Sequence, residues 1–169
     1  MVRSGGNIEA PATNVTAPHL QLMTFSTDQT VAPGTRFSLV LDGVPDRNVH
    51  VYAPGVTGYK PITVTIDPQP GVVLRTAEFP QAEIYHFKPL NEQVPVYQKP
   101  FRIIQDVMID PSAQAQAALQ GASSITIRGT VSYQACDDTV CFNPQTVPVT
   151  WTVALKSLDR ERGLRHDRR

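Results

Sequence analysis

Apolar and polar residues alternate in short runs along most of this chain. Ile62, Thr63, Val64, Thr65 and Ile66 alternate strictly, the period of two that sends successive side chains to opposite faces of a strand. Runs at 19–25, 36–42, 48–52, 71–76, 101–109, 124–133 and 146–155 are rich in β-branched and apolar residues in the same way, and each is read as a strand. Turn signals separate them, among them Pro33 with Gly34 and Pro54 with Gly55. Short strands at fairly regular spacing, with 15 prolines in the chain and many of them between the runs, predict an antiparallel sandwich or barrel. One segment departs from the pattern. Residues 112–120 are rich in Ala and Gln, follow Asp110 and Pro111 as N-cap and first-turn pair, and end at Gly121. With no apolar face they predict at most one short surface helix. Pro148 inside the last run cannot donate to a ladder. It predicts an edge position, a bulge or the first residues of the strand, with that end of the sheet open to a partner.

Length and composition fit one domain with flexible ends. The chain has 169 residues, 41% of them apolar and 7% aromatic, enough for an ordinary core. No run approaches the roughly 20 apolar residues that span a bilayer, so no membrane insertion by this segment is expected. The formal net charge is zero, which argues against a nucleic-acid partner, since such proteins carry a basic surplus. Arg160, Arg162, Arg165, Arg168 and Arg169 concentrate near the C-terminus, but Asp159, Glu161 and Asp167 interrupt them, as in a solvated tail. Residues 1–17, rich in Ala, Pro, Thr, Asn and Gly, read as a flexible linker, 18–156 as the β-domain, and 157–169 as a charged disordered tail. Residues 1–7 contain no apolar signal-peptide core. Asn14, Val15 and Thr16 form a glycosylation sequon, read as a chance match in a linker.

The candidate chemistry lies in two cysteines, Cys136 and Cys141, separated by four residues. Two thiols are too few for a four-ligand structural zinc site. A strand runs into the pair and another runs out, so the cysteines are expected to flank a hairpin tip, with Asp137, Asp138 and Thr139 supplying turn-compatible residues. Partners across such a tip come within disulfide reach. A disulfide there is either a structural staple or a redox pair, and spacing alone places the staple ahead. Closing so short a loop stabilises by only roughly 2 kcal/mol. No Cys-x-x-Cys motif or helix N-terminus is available to lower a thiol pKa, and the adjacent Asp137 and Asp138 disfavour a thiolate. The reduced pair is therefore expected to react sluggishly with small reagents and to depend on a partner for activation. A stable disulfide implies an oxidising compartment.

The stretch from Tyr133 through Cys136, Cys141, Phe142 and Pro144 to Val147 and Pro148 resembles the cysteine motif of the N-terminal domain of the thiol:disulfide interchange protein DsbD family. Residues 49–55, with His50 and Tyr52, are similar to that family's early aromatic segment, and 94–101 to the strand that begins after its protective loop. The resemblance covers 18–156 and implies an all-β, immunoglobulin-like antiparallel β-sandwich. It implies a disulfide that accepts electrons from a thioredoxin-like domain and passes them to extracytoplasmic, periplasmic partners. Cys141 would form the mixed disulfide and Cys136 would resolve it. His50 and Tyr52 fall beside the cysteines, on one strand face by alternation, and Tyr133 is taken with them as a binding residue. The family's covering loop would lie between Tyr85 and Tyr97, with Phe87 as the aromatic cap. No membrane helices follow, so the chain is read as an excised domain or a soluble relative, and its linker-like start permits fusion to another redox module. No cofactor or metal is expected. Two other readings are a binding or structural sandwich with an inert staple, and a metal site of Cys136, Cys141 and His50 with His86. The loose cysteine spacing and the Asp-rich loop disfavour the metal site.

Overall fold

Strand alternation decides which side of each element is buried, and the burial of two such faces against each other makes the domain. The computed structural model describes residues 11–156. In chain order the strands are β1 (Thr13–Val15), β2 (Leu20–Ser26), β3 (Thr30–Val31), β4 (Arg36–Pro45), β5 (His50–Tyr52), β6 (Thr63–Ile66), β7 (Val72–Glu78), β8 (Glu83–Phe87), β9 (Glu92–Tyr97), β10 (Phe101–Ile109), β11 (Ser124–Tyr133), β12 (Ala135–Cys136) and β13 (Gln145–Leu155). A short helix, α1 (Ala113–Ala118), and a 3-10 turn at Lys88–Leu90 complete the elements. The first sheet has the order β1-β2-β4-β10-β7 and the second β3-β13-β11-β6. All pairings are antiparallel except the short one between β13 and β3. This is the all-β, immunoglobulin-like sandwich.

The two sheets share one core. β13 alternates along its length and buries Val147, Val149, Trp151, Val153 and Leu155. Opposite it lie Leu20 and Leu22 of β2, Leu39 and Leu41 of β4, and Ile103 and Val107 of β10. Each such side chain contributes roughly 1.5–3 kcal/mol on burial. Polar atoms tie the layers together: Trp151 Nε1 donates to the Val40 carbonyl at 3.0 Å and Thr24 Oγ1 to the Thr150 carbonyl at 3.1 Å. Pro148 occupies an edge, as one of its sequence alternatives had it. β13 pairs continuously with β11 through Thr130 and Pro148, while β3 reaches β13 on the other side only at Ala154 and Leu155.

A third, smaller sheet positions the cysteines, with the order β12-β5-β9-β8. Here the structure differs from the sequence reading in three ways. The segment read as a covering loop is a β-hairpin: β8 pairs with β9 from Glu83 opposite Val96 to Phe87 opposite Glu92. Its strands escape the pattern because β8 is half buried, β9 contains Pro95, and Lys88 with Pro89 reads as a break. The cysteines flank a turn as expected, bridged antiparallel to each other, but beyond the β11–β13 ladder rather than on it. Those strands pair as far as Tyr133 opposite Gln145, but the intervening chain leaves the second sheet, and β12 joins β5 with Cys136 opposite His50. Finally, Ser112 rather than Asp110 caps α1, its side chain accepting from the Ala115 amide at 3.2 Å, while Asp110 Oδ1 accepts from the Ser112 amide at 2.9 Å. Thr13–Val15, at the end of the segment read as a linker, pairs with β2 from Thr13 opposite Thr24 to Val15 opposite Leu22. The charged tail at 157–169 lies outside the described residues.

Candidate functional site

Cys136 and Cys141 are joined by a disulfide with a Cα separation of 4.0 Å. They form an isolated antiparallel bridge. The Asp137 amide donates to the Val140 carbonyl and the Phe142 amide to the Ala135 carbonyl, both at 2.9 Å. The cysteines are thus a non-hydrogen-bonded pair, the register in which facing side chains lie closest. Asp137 builds the turn between them. Its Oδ1 accepts from the amides of Thr139 at 2.8 Å and Val140 at 2.7 Å, and from the Thr139 hydroxyl at 3.0 Å. These bonds hold the Asp137 carboxyl below the usual carboxylate range.

The two cysteines differ in exposure. Cys136 is 1% exposed and belongs to a small core with Tyr52, Val94 and Val96. Cys141 is exposed. Burial removes one sulfur from attack, while the other residue faces solvent, so the pair presents a chemically directed disulfide.

A cleft of about 60 Å³ lies beside the pair, with His50, Tyr52, Tyr85, Phe87, Cys136 and Cys141 on its walls. Alternation along β5 accounts for two of these residues. Val51 turns into the main core, and His50 and Tyr52 turn to the cleft. The Tyr52 hydroxyl lies 3.3 Å from Cys136 Sγ and 3.6 Å from Cys141 Sγ. With both sulfurs in the disulfide, the phenol is the donor. Burial first, then the neighbouring Tyr59, Glu92 and Tyr85, push the Tyr52 phenol up to about 12, so it keeps its proton at neutral pH. His50 is 3% exposed, edge-on to Tyr52 with ring centroids 5.6 Å apart and tilted against Tyr85 at 4.2 Å. Burial lowers its pKa from 6.5, opposed by Asp138 and Asp137; it faces the site as a neutral ring.

Phe87 reaches the same cleft from the end of β8, two residues beyond Tyr85 on the same strand face. Tyr133 does not reach it. It is wholly buried in the main core and donates to the Pro18 carbonyl at 2.6 Å, so the structure does not bring it to the cleft with His50 and Tyr52: β11 buries every second side chain, and position 133 falls on the inner face. His86 is on the outward face of β8 beside Asn91 Oδ1, at 3.3 Å, so it does not join His50 and the cysteines. Among the described residues no group of three or more His, Cys, Asp and Glu side chains is placed to hold a metal ion.

The sequence reading missed a set of polar contacts around the cleft. Tyr59 stacks on Tyr52 at 4.4 Å and 15° and donates to Glu92 Oε2 at 2.8 Å. Tyr85 donates to Asp138 Oδ1 at 2.6 Å, tying the β8–β9 hairpin to the cysteine turn. The period of two starting from Phe87 was a usable signal for Tyr85. Tyr59 sits between β5 and β6 in a segment with no periodicity to follow.

A sandwich that carries one buried and one exposed half of a disulfide against an aromatic cleft defines a thiol–disulfide exchange domain. Comparison with known proteins agrees. The family model described as thiol:disulfide interchange protein DsbD, N-terminal, matches residues 21–152, and the chain belongs to that family. Among solved structures the chain is similar to the N-terminal periplasmic domain of ScsB from Proteus mirabilis, with 9% identity and a TM-score of 0.53, over 85% of this chain and 51% of that one. It is also similar to the reduced N-terminal domain of DsbD from Neisseria meningitidis, with 13% identity and a TM-score of 0.45, over 70% of this chain and 82% of that one. The chain thus spans about half of the ScsB domain's length. A search of curated protein sequences finds no match.

Proposed function

We propose that this domain passes electrons between a thioredoxin-like donor and extracytoplasmic protein disulfides through Cys141 and Cys136. The observation that carries the reading is the unequal exposure of the two cysteines. A donor thiolate attacks Cys141 Sγ. The Cys136–Cys141 bond breaks, an intermolecular disulfide forms, and Cys136 leaves as a thiolate. The donor's second thiol, as its thiolate, then attacks its own sulfur in the mixed disulfide and releases Cys141. The donor ends as a disulfide, and this domain holds both electrons and, after proton uptake, two thiols. In the onward step the Cys141 thiolate attacks a target disulfide, and Cys136 displaces the target by attacking Cys141.

Tyr52 lies where the leaving charge appears. A hydrogen bond to a charged group stabilises by about 1.5–3 kcal/mol, so its phenol offsets part of the cost of forming a thiolate at the buried Cys136. Phe87 and the β8–β9 hairpin wall the cleft and limit which partners reach the disulfide. The disulfide chemistry and the family fit an oxidising, extracytoplasmic compartment. The chain works there as a soluble module or as one module of a larger redox fusion.

The reduction potential of the pair, measured by equilibration in glutathione and dithiothreitol buffers, tests this reading. A value of roughly −120 to −270 mV matches exchange proteins, whereas a value below about −300 mV marks a structural staple and defeats the proposal. A Cys136→Ser variant mixed with an oxidised target protein should accumulate a mixed disulfide between Cys141 and that target, because the thiol that displaces the target in the onward step is gone.

A further inference from the structure

Three tyrosine hydroxyls surround the cleft, and they are put to different uses. Tyr59 gives its proton to Glu92 and Tyr85 gives its proton to Asp138. Only the Tyr52 hydroxyl reaches the sulfurs. Tyr52 comes from a strand of three residues, β5, whose fixed backbone sets the Cβ direction but leaves the ring free to turn about its side-chain bonds. The Tyr59 ring adds to the packing of Tyr52 with Val94, Val96 and the edge of His50. It lies nearly parallel to Tyr52, 15° off, with centroids 4.4 Å apart. It is fixed in turn by the 2.8 Å bond to Glu92, at the first residue of β9, opposite Phe87 in the hairpin. The order of contacts is therefore hairpin, Glu92, Tyr59, Tyr52, disulfide.

We infer that Tyr59 is a positioning residue: stacked on Tyr52 and tethered to Glu92, it holds the Tyr52 hydroxyl on the two sulfurs and so sets the acidity of the Cys136 thiol. This rests on the reading of the pair as an exchange site, because only there does the acidity of Cys136 govern a rate. Tyr59 itself touches no reacting atom. Its effect passes through one hydroxyl, which makes it separable from packing.

The test needs no partner protein. In a Cys141→Ser background a single thiol remains, and its titration is followed by thiolate absorbance. Replacing Tyr52 by Phe should raise the thiol pKa by about one unit, the scale of a lost charged hydrogen bond. Tyr59→Leu should raise it by about half of that, and Tyr59→Phe, which keeps the stacked ring, should retain most of the original acidity. Once Tyr52 is Phe, Tyr59→Leu should add nothing, since the two act as one unit. The inference is overturned if Tyr59→Leu shifts the titration equally with and without the Tyr52 hydroxyl. It is overturned as well if Tyr52→Phe shifts the titration and Tyr59→Leu does not. Should Tyr59→Leu fold poorly, the smaller shift expected of Tyr59→Phe, and its disappearance with Tyr52 as Phe, carries the same decision. Failure of the exchange reading appears separately, as a staple-like reduction potential of the unmodified pair with the titration coupling intact.

Discussion

The main core and the cysteine cleft spend their aromatic polar groups differently. In the core, Trp151 donates to the Val40 carbonyl, Tyr133 to the Pro18 carbonyl and Tyr97 to the Pro80 carbonyl. Each of these ties an aromatic side chain to a backbone carbonyl, so it serves the fold. In the cleft, Tyr52 points to two sulfurs, while Tyr59 and Tyr85 point to carboxylates on the walls. Those bonds complete no backbone ladder. The main core has buried faces from both large sheets, whereas the cleft's own cluster has Tyr52, Val94, Val96 and Cys136 as its buried members. Residues that can be exchanged with little loss of fold are where chemistry can be tuned.

The largest effect should come from breaking the core. Trp151→Ala removes a 4% exposed side chain that links the two sheets. It should cost about 3–5 kcal/mol in urea unfolding, while whatever protein remains folded keeps the reduction potential of the parent. A large potential shift in that folded fraction would mean that core and cleft are not separable. Tyr52→Phe should do the opposite. Exchange with a thioredoxin-like partner should slow about tenfold, from the lost hydrogen bond to the departing thiolate, with unfolding changed by less than about 1 kcal/mol. A variant that unfolds easily and still exchanges at the parent rate would move Tyr52 to the structural side of the comparison.

Tyr133→Phe sharpens the boundary, because Tyr133 is two residues from the strand that carries Cys136. It leaves the Pro18 carbonyl without its donor and should cost about 1 kcal/mol of stability. The thiol acidity and the exchange rate should stay at parent values. A slower exchange would return Tyr133 to the site.

How much of this was legible from sequence follows the same division. The strands that build the main core bury alternate residues to depth, and their period survives in the sequence: β10 and β11 run over the residues expected, and β13 begins one residue early, at Gln145. The hairpin β8–β9 was hidden because one side of it is solvent, leaving His86, Ile84 and Gln93 free to be of any polarity. His50 and Tyr52 were placed correctly beside the cysteines by the alternation of one short strand. Tyr133 lies away from the cleft because β11 ends in the core and β12 crosses to another sheet, and no period in the sequence marks that crossing. Tyr59 and Glu92 meet only through tertiary structure, 33 positions apart, and no local pattern encodes such a meeting.

The smallest expected effect concerns pH, and it isolates the buried imidazole of the cleft. Burial lowers the His50 pKa below its ordinary 6.5, against the opposing pull of Asp138 and Asp137. The unfolded chain therefore takes up a proton near pH 6.5 that the folded domain still refuses. Stability is fully present above that pH and is lost as pH falls through the folded value. Of the groups beside His50, Tyr52 and Tyr85 are both pushed up to about 12, and Asp137 is held below 3.8. Urea midpoints measured from pH 7 to pH 5 should thus decline for the parent and stay flatter for His50→Phe, which keeps a ring against Tyr85 and removes the proton site. Identical slopes in the two proteins would mean that His50 gains its proton without cost, and that the cleft is wetter around this ring than its burial implies.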